Sequence, residues 1–283
     1  MKWLHKTLAP CCFGRACLIA NQGFVSEAAA FVVDEALGLD IVPPTNLVML
    51  ASPVFNYGQQ YENGIRQPLS LSPKIGSFQL FVNGYVDAQT FLDTHAEALA
   101  DPTSPLARAF QAQFERLVIL DYIIRNTDRG TDNWLVRVDD AMSDAPRVAI
   151  AAIDNGLAFP FKHPNGCRTY PYAWASLPQA ALPFSDTLAA ELEPILHDNM
   201  KWDSTAAALR DVFELDTSYD DESFEHQMQV MRGQMVNALS ALMARLSPLD
   251  LLERPPITVE HDIVAGGWTE PQLADAIACF SGW

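Results

Sequence analysis

The sequence predicts an α+β domain, and three observations predict it. An apolar run with helical spacing leads into a loop rich in Asp and Asn, residues 126–133. A strand-like run, 134–138, follows that loop. A second strand-like run, 148–153, ends in Asp154-Asn155-Gly156, so a hairpin would bring the two polar loops together. At 283 residues the chain is long enough for a sizeable core. The chain divides into residues 1–88, residues 89–257, and an extension, 258–283, with no assigned role.

In chain order, Ser26 is a candidate N-cap for a helix running to Leu37, with Gly38 as its stop. Glu27 on that helix is either a partner for a phosphate-binding lysine or a solvated first-turn acid. Residues 41–50 and 75–86 read as strands, the first interrupted by Pro43 and Pro44. The polar, Gly- and Pro-containing stretch 55–73 between them is loop. Residues 101–105 form a linker-like break. Phe110, Phe114, Leu117, Asp121 and Ile124 then recur at helical steps and deliver the polar loop. Residues 139–146 are a hairpin loop, and 159–184 are too rich in proline for a helix. Phe224, Met228, Met231, Met235, Leu239 and Leu242 make a second helical stripe of core residues.

Composition excludes several classes. No apolar run reaches the ~20 residues of a membrane span, and the basic start lacks the apolar core of a signal peptide. Five unevenly spaced cysteines give no disulfide framework and point to a cytosolic compartment. A formal net charge of −17 argues against nucleic acid. Two stretches without acids, 1–26 and 155–185, carry Lys2, Lys6, Arg15, Lys162 and Arg168, and are the surfaces suited to an anionic membrane. Residues 4–17 add aromatic and aliphatic side chains to Cys11, Cys12 and Cys17. Such cysteines are candidates for S-palmitoylation. Zinc held by these three and His5 fits tetrahedral geometry poorly, and buried core cysteine is the other reading. Tyr170, Tyr172 and Trp174 are either interfacial aromatics or packing beneath the loop.

The chemistry rests on Asp128, Asn133 and Asp154. Phosphoryl transfer needs an aspartate to orient the attacking hydroxyl, and an asparagine and a second aspartate to hold Mg²⁺. In kinase catalytic loops the aspartate precedes the asparagine by five positions, the spacing from Asp128 to Asn133. Asp, Asn and Gly are also ordinary turn residues. The Asp-Asn-Gly ending a hydrophobic strand 21 positions after Asn133 favours the chemical reading. There is no Walker motif, G-x-G-x-x-G, nucleophile elbow or H-E-x-x-H.

The segments LDYIIRNTDRGTDNW at 120–134 and AAIDNGLAFP at 151–160 resemble the catalytic and activation segments of type II phosphatidylinositol 4-kinases. KHP at 162–164, LPQ at 177–179, MRGQ at 231–234, PCCFGR at 10–15, NQG at 21–23, SEA at 26–28 and GSFQLFV at 76–82 extend the resemblance over most of residues 2–257. It implies a protein-kinase-like two-lobed lipid kinase fold, with a catalytic loop at 125–133 and an activation loop at 152–172. The implied reaction moves the ATP γ-phosphate to the 4-hydroxyl of phosphatidylinositol. The implied place is the cytosolic face of a Golgi, endosomal, vacuolar or plasma membrane, bound peripherally. Asp128 would orient or deprotonate the hydroxyl, Asn133 and Asp154 would hold Mg²⁺ or Mn²⁺, and Arg129 and Lys162 would meet phosphate charge. Gln79, Leu80, Phe81 and Val82 would be the hinge against adenine, and Leu157 would line the nucleotide pocket. Asp87 would face the phosphate-binding lysine. Cys11 and Cys12, with Cys17, would be lipidated, and Arg168 and Trp174 would meet the membrane. The family places a glycine- or serine-containing loop and a strand lysine ahead of residues 2–4. The five lysines here, at 2, 6, 74, 162 and 201, supply no equivalent, so the first hairpin of the small lobe is expected to be missing. An inactive membrane-associated scaffold is the alternative that this implies.

Overall fold

The backbone of Gly38 turns left-handed, φ +66°, and there ends the first helix, α1 (Gly23–Leu37), as expected for a glycine stop. The start lies three residues earlier than Ser26. The Gln22 carbonyl accepts from the N–H groups of Val25 and Ser26, both at 3.0 Å, so Gln22 is the cap. Ser26 is buried within the helix, and its hydroxyl donates to the Ala158 carbonyl at 3.4 Å. The computed structural model describes residues 16–55, 57, 71–140, 142, 144–164, 170–262, 267, 268, 272 and 273.

The two prolines delay the next strand to β1 (Thr45–Leu50), which pairs antiparallel with β2 (Lys74–Gln79) from Thr45↔Gln79 to Leu50↔Lys74. The strand expected over 75–86 is broken. Gly84, at φ +79°, turns the chain, and pairing resumes as β3 (Val86–Asp87) in a different sheet. That sheet has the order β3-β4-β5 and contains the hairpin of β4 (Trp134–Asp139) and β5 (Arg147–Ala152), in register from Trp134↔Ala152 to Asp139↔Arg147. Residues 80–85 therefore connect the two sheets.

Two short helices, α2 (Ala88–Thr94) and α3 (Ala96–Ala100), precede α4 (Pro105–Ile123). Ser104 caps α4, accepting from the Ala107 N–H at 3.0 Å, with Pro105 in the first turn where its missing N–H is harmless. Phe110, Phe114, Leu117 and Val118 bury completely against the β4–β5 sheet and the later helices.

Residues 170–184 hold two 3₁₀ turns, Ala173–Ser176 and Pro178–Ala181, and no α-helix. Two helices that the hydrophobic pattern did not announce follow, α5 (Asp186–His197) and α6 (Asn199–Phe213), capped by Ser185 and Asp198. Next come α7 (Asp221–Met243), whose Met228, Met231 and Met235 are core, and α8 (Pro248–Leu252), closed by a capping box between Ser247 and Asp250. The C-terminal extension is partly strand: β6 (Ile257–Thr258) pairs with β9 (Gln272–Leu273), and β7 (His261–Asp262) with β8 (Gly267–Trp268). Among the described residues, no helix is long and apolar enough to cross a membrane.

Candidate active site

The loop after α4 is tied to the segment after β5 by backbone bonds. Thr127 N–H and Thr127 Oγ1 both donate to the Leu157 carbonyl, at 3.0 and 2.7 Å. Phe159 N–H donates to the Ile124 carbonyl at 2.8 Å, and Ile153 N–H to the Asn133 carbonyl at 3.1 Å. The β4–β5 register places Asn133 opposite Ile153, so Asn133 and Asp154 stand at adjoining corners of one sheet end. Asp154 leaves the strand with φ +51°, a left-handed conformation that Asp tolerates better than most residues. Its side chain is exposed, as is that of Asp128.

Asp128 is aimed by a local turn. Its N–H donates to Asn126 Oδ1 at 2.9 Å, and Asn126 is itself fully buried. Asn133 Nδ2 donates to the Asp128 carbonyl at 2.7 Å. That bond engages the amide nitrogen and leaves the amide oxygen as the atom that could ligate a metal. Asn133 and Asp154 thus offer two hard oxygen ligands, a set that fits Mg²⁺ completed by phosphate oxygens and water. No cluster of three or more His, Cys, Asp or Glu suited to a metal occurs among the described residues.

Arg129 departs from expectation. The resemblance implies contact with substrate phosphate, yet Arg129 is 1% exposed and each of its three nitrogens bonds internally. Nε donates to both Asp121 oxygens, at 2.9 and 3.0 Å. Nη1 donates to the carbonyls of Asn133 and of Ile153, the latter at 2.7 Å, and Nη2 donates to Asn155 Oδ1 at 2.5 Å. A guanidinium has five N–H donors in a rigid fork, and here they hold the two loops to one buried carboxylate. Burial pushes the Asp121 carboxyl above the usual carboxylate range, against the pull of Arg129 and of the Trp174 N–H.

Trp174 is likewise not at an interface. It is 0% exposed, and its indole Nε1 donates to Asp121 Oδ2 at 2.9 Å. Tyr172 stacks on it at 4.7 Å, donates its hydroxyl to the Asp121 carbonyl and accepts from Arg125 Nη1. Burial pushes the Tyr172 phenol up to about 12, so it stays a protonated donor. Cys17 is 3% exposed, with its carbonyl taking the Phe161 N–H at 2.9 Å. A buried thiol is no acylation site, which removes Cys17 from the lipidation set. Cys11, Cys12 and Arg168 lie outside the described residues.

Asp87 caps α2, accepting from Thr90 N and Thr90 Oγ1 at 2.9 and 2.7 Å, which holds its carboxyl below the usual range. Gln79 Nε2 donates to Thr45 Oγ1 at 2.8 Å and Leu80 N–H to the Pro44 carbonyl at 2.9 Å, fixing the crossing segment. Leu80 and Phe81 are left exposed beside Val82. Leu157 lines a cavity of about 630 Å³ with Leu18, Ile19, Gly23, Phe159 and Gln227, at the N-terminus of α1. Lys162 is half-buried, with Nζ 5.3 Å from the ring of Phe161.

Glu27 is not a solvated acid. It faces the turn after β5, where the N–H groups of Asn155 and Gly156 reach it; burial raises its carboxyl overall, opposed by those bonds and reinforced by Asp154. Gly156 permits this approach, since a Cβ there would lie 3.3 Å from Glu27 Oε1. Sequence reasoning did not name Asp121, Asn155 or Tyr172 as parts of the site. The available signal was Asp121 on an otherwise apolar helical stripe, because a carboxylate buried there must find a partner.

Residues 1–203 match the family model for phosphatidylinositol 3- and 4-kinase. The chain is 44% identical to a phosphatidylinositol 4-kinase type 2-beta of Xenopus tropicalis, over 97% of this chain and 62% of that one. It is 44% identical to a type 2-alpha enzyme of Xenopus laevis, over 92% and 61%. A type 2-beta enzyme of Rattus norvegicus is 45% identical, over 92% and 60%. The chain therefore spans about three fifths of the length of these relatives.

Proposed function

Because the chain belongs to the phosphatidylinositol 3- and 4-kinase family, we propose that it transfers the γ-phosphate of ATP to the 4-hydroxyl of phosphatidylinositol at a membrane surface. The observation that carries this reading is the shared corner of Asp128, Asn133 and Asp154, built by the bonds between loops 124–133 and 153–159. The choice of the 4-hydroxyl rests on similarity to relatives named type 2 phosphatidylinositol 4-kinases.

In this reading Asp128 orients the inositol hydroxyl and takes its proton. Asn133 Oδ1 and the Asp154 carboxylate hold Mg²⁺ or Mn²⁺, which when bound neutralises charge on the transferring phosphoryl group. Gln79 to Val82 meet adenine through backbone groups and the exposed apolar faces of Leu80 and Phe81. Arg129 keeps its guanidinium inside and sets the positions of the two loops instead of touching phosphate. Attachment to the membrane is peripheral, through the basic N-terminal segment and acylated Cys11 and Cys12.

The test is ATP-dependent phosphorylation of phosphatidylinositol in mixed micelles by the purified chain, with the product deacylated and its headgroup identified by chromatography. A 4-phosphate product that disappears in Asp128→Asn is the expected result. A 3-phosphate product, or turnover in Asp128→Asn equal to wild type, would refute the assignment.

A further inference from the structure

The segment 172–174 touches the catalytic loop at three places. Ala173 N–H donates to the Arg129 carbonyl at 3.0 Å, Tyr172 Oη donates to the Asp121 carbonyl at 3.0 Å, and Trp174 Nε1 donates to Asp121 Oδ2 at 2.9 Å. The Asp121 carboxylate is shared between this indole and Arg129 Nε. Arg129 in turn carries the carbonyls of Asn133 and Ile153 and the side chain of Asn155. Those three residues are the immediate neighbourhood of the two proposed metal ligands: Asn133 itself, and the residues on either side of Asp154. A continuous set of bonds therefore runs from Trp174 to Asn133 and to both chain neighbours of Asp154.

We infer that Trp174 is a positioning residue, whose indole N–H fixes the Asp121–Arg129 pair and through it the placement of Asn133 and Asp154. This deepens the kinase reading and rests on it. The geometry explains why the donor matters. With Trp174 Nε1 in place, Asp121 Oδ2 accepts two bonds and its rotamer is locked. Without that donor Oδ2 keeps only its bond from Arg129 Nε, so the carboxylate and the guanidinium bound to it are held less firmly. Small displacements of reacting groups cost much in rate, ~100-fold for about an ångström. The segment that follows the Asp-Asn-Gly turn thereby reports its own docking to the proposed metal ligands.

Trp174→Phe is the discriminating variant. It keeps an aromatic ring for the stack on Tyr172 and the edge contact with Phe114, and removes the N–H together with the smaller of the two fused rings. Trp202→Phe is the matched control, since Trp202 is 2% exposed and its indole donates to the Ile195 carbonyl at 3.0 Å, outside this set of bonds. Hydrogen exchange at the Ile153 and Thr127 amides reads the clamp without any need for turnover. In the micelle assay, the Mg²⁺ concentration for half-maximal rate reads the ligand geometry.

Trp174→Phe is expected to speed exchange at both amides about tenfold, the scale of one lost bond to a charged group. It should also raise the Mg²⁺ requirement about tenfold and leave the KM for phosphatidylinositol unchanged. Trp202→Phe should do none of these. Exchange within twofold of wild type in Trp174→Phe, or equal acceleration in Trp202→Phe, would overturn the inference. Faster exchange with an unmoved Mg²⁺ requirement would reduce Trp174 to packing and also overturn it. If wild type binds no Mg·ATP in calorimetry, the kinase reading fails separately, while the exchange comparison still decides whether Trp174 holds the loops.

Discussion

Arg129 Nε lies 2.9 Å from Asp121 Oδ1, and both side chains are at 0% exposure. Isolated burial of either charge would cost several kcal/mol. Here the charges compensate each other, and the remaining donors and lone pairs meet two carbonyls, an amide oxygen and an indole. The pair is therefore a joint between the helix that delivers the catalytic loop and the strand that delivers Asp154.

Breaking the joint on one side should be severe. Asp121→Asn leaves a buried guanidinium without its counter-charge, and the expected loss is about 3–5 kcal/mol. Replacing the whole pair, Asp121→Leu with Arg129→Met, should cost clearly less than the sum of the single changes, because no buried charge is orphaned. Activity should be lost in both cases, since the loops lose their common anchor. Urea denaturation with a parallel micelle assay measures this. A single-variant loss below about 1 kcal/mol would mean that the site relaxes or takes up water.

The two carboxylates proposed to act on the hydroxyl and the metal should behave in the opposite way, with large effects on rate and small ones on stability. Asp128 and Asp154 are exposed, and surface changes away from special features stay within about 0.5 kcal/mol. Asp154→Asn is the suitable substitution because asparagine also tolerates the left-handed backbone at φ +51°. Asp128→Asn should lower kcat by about 100-fold or more, as for loss of a general base. Asp154→Asn should abolish Mg²⁺-dependent ATP affinity in calorimetry. Unchanged affinity would remove Asp154 from the ligand set.

Much of this was legible in the sequence because local rules and burial agreed. The helix ending at Gly38, the hairpin of β4 and β5, and the α4 and α7 stripes follow from turn chemistry and periodicity. The strand break at Gly84 was not separable from a continuous apolar run until β3 was seen to join another sheet. Helices α5 and α6 carry charges and a proline, Pro194, that blur their apolar faces. At the site, Asp128, Asn133 and Asp154 were visible through spacing. Arg129 and Trp174 were misassigned because sequence gives residue type and not exposure: an arginine in a catalytic loop suits either phosphate or a buried carboxylate. Only the position of Asp121 decides which.

Gly233 in the MRGQ segment has a packing role. A Cβ there would sit 1.9 Å from the Ile257 carbonyl oxygen, and both belong to backbone that cannot rotate away. Helix α7 and strand β6 approach closely at this point, next to Val259 N–H, which donates to the Gln229 carbonyl. Gly233→Ala should therefore destabilise by about 1–3 kcal/mol, the scale of core overpacking, despite alanine's better helix propensity. A thermal melt that rises would show that the extension moves aside at little cost.

Asp34 predicts a pH dependence with a definite sign. It sits at 2% exposure inside α1, and Oδ1 accepts from the Ile41 N–H at 3.1 Å. Burial pushes its carboxyl from 3.8 up to about 6, with the Ile41 and Val42 N–H groups pulling the other way. The native state thus holds a proton that the unfolded state has released between those two values. Stability from this group is present at the acid side of the window, falls as pH rises from about 4 to about 6, and is flat above it. Two units correspond to about 3 kcal/mol. The other carboxylates contribute their own slopes, so the quantity to measure is the difference between wild type and Asp34→Asn in urea denaturation at pH 4 through 7. The variant should gain on wild type by about 2–3 kcal/mol across that window, diminished by the loss of one backbone acceptor at all pH values. A difference that does not change between pH 4 and 7 would mean that Asp34 titrates normally in the fold.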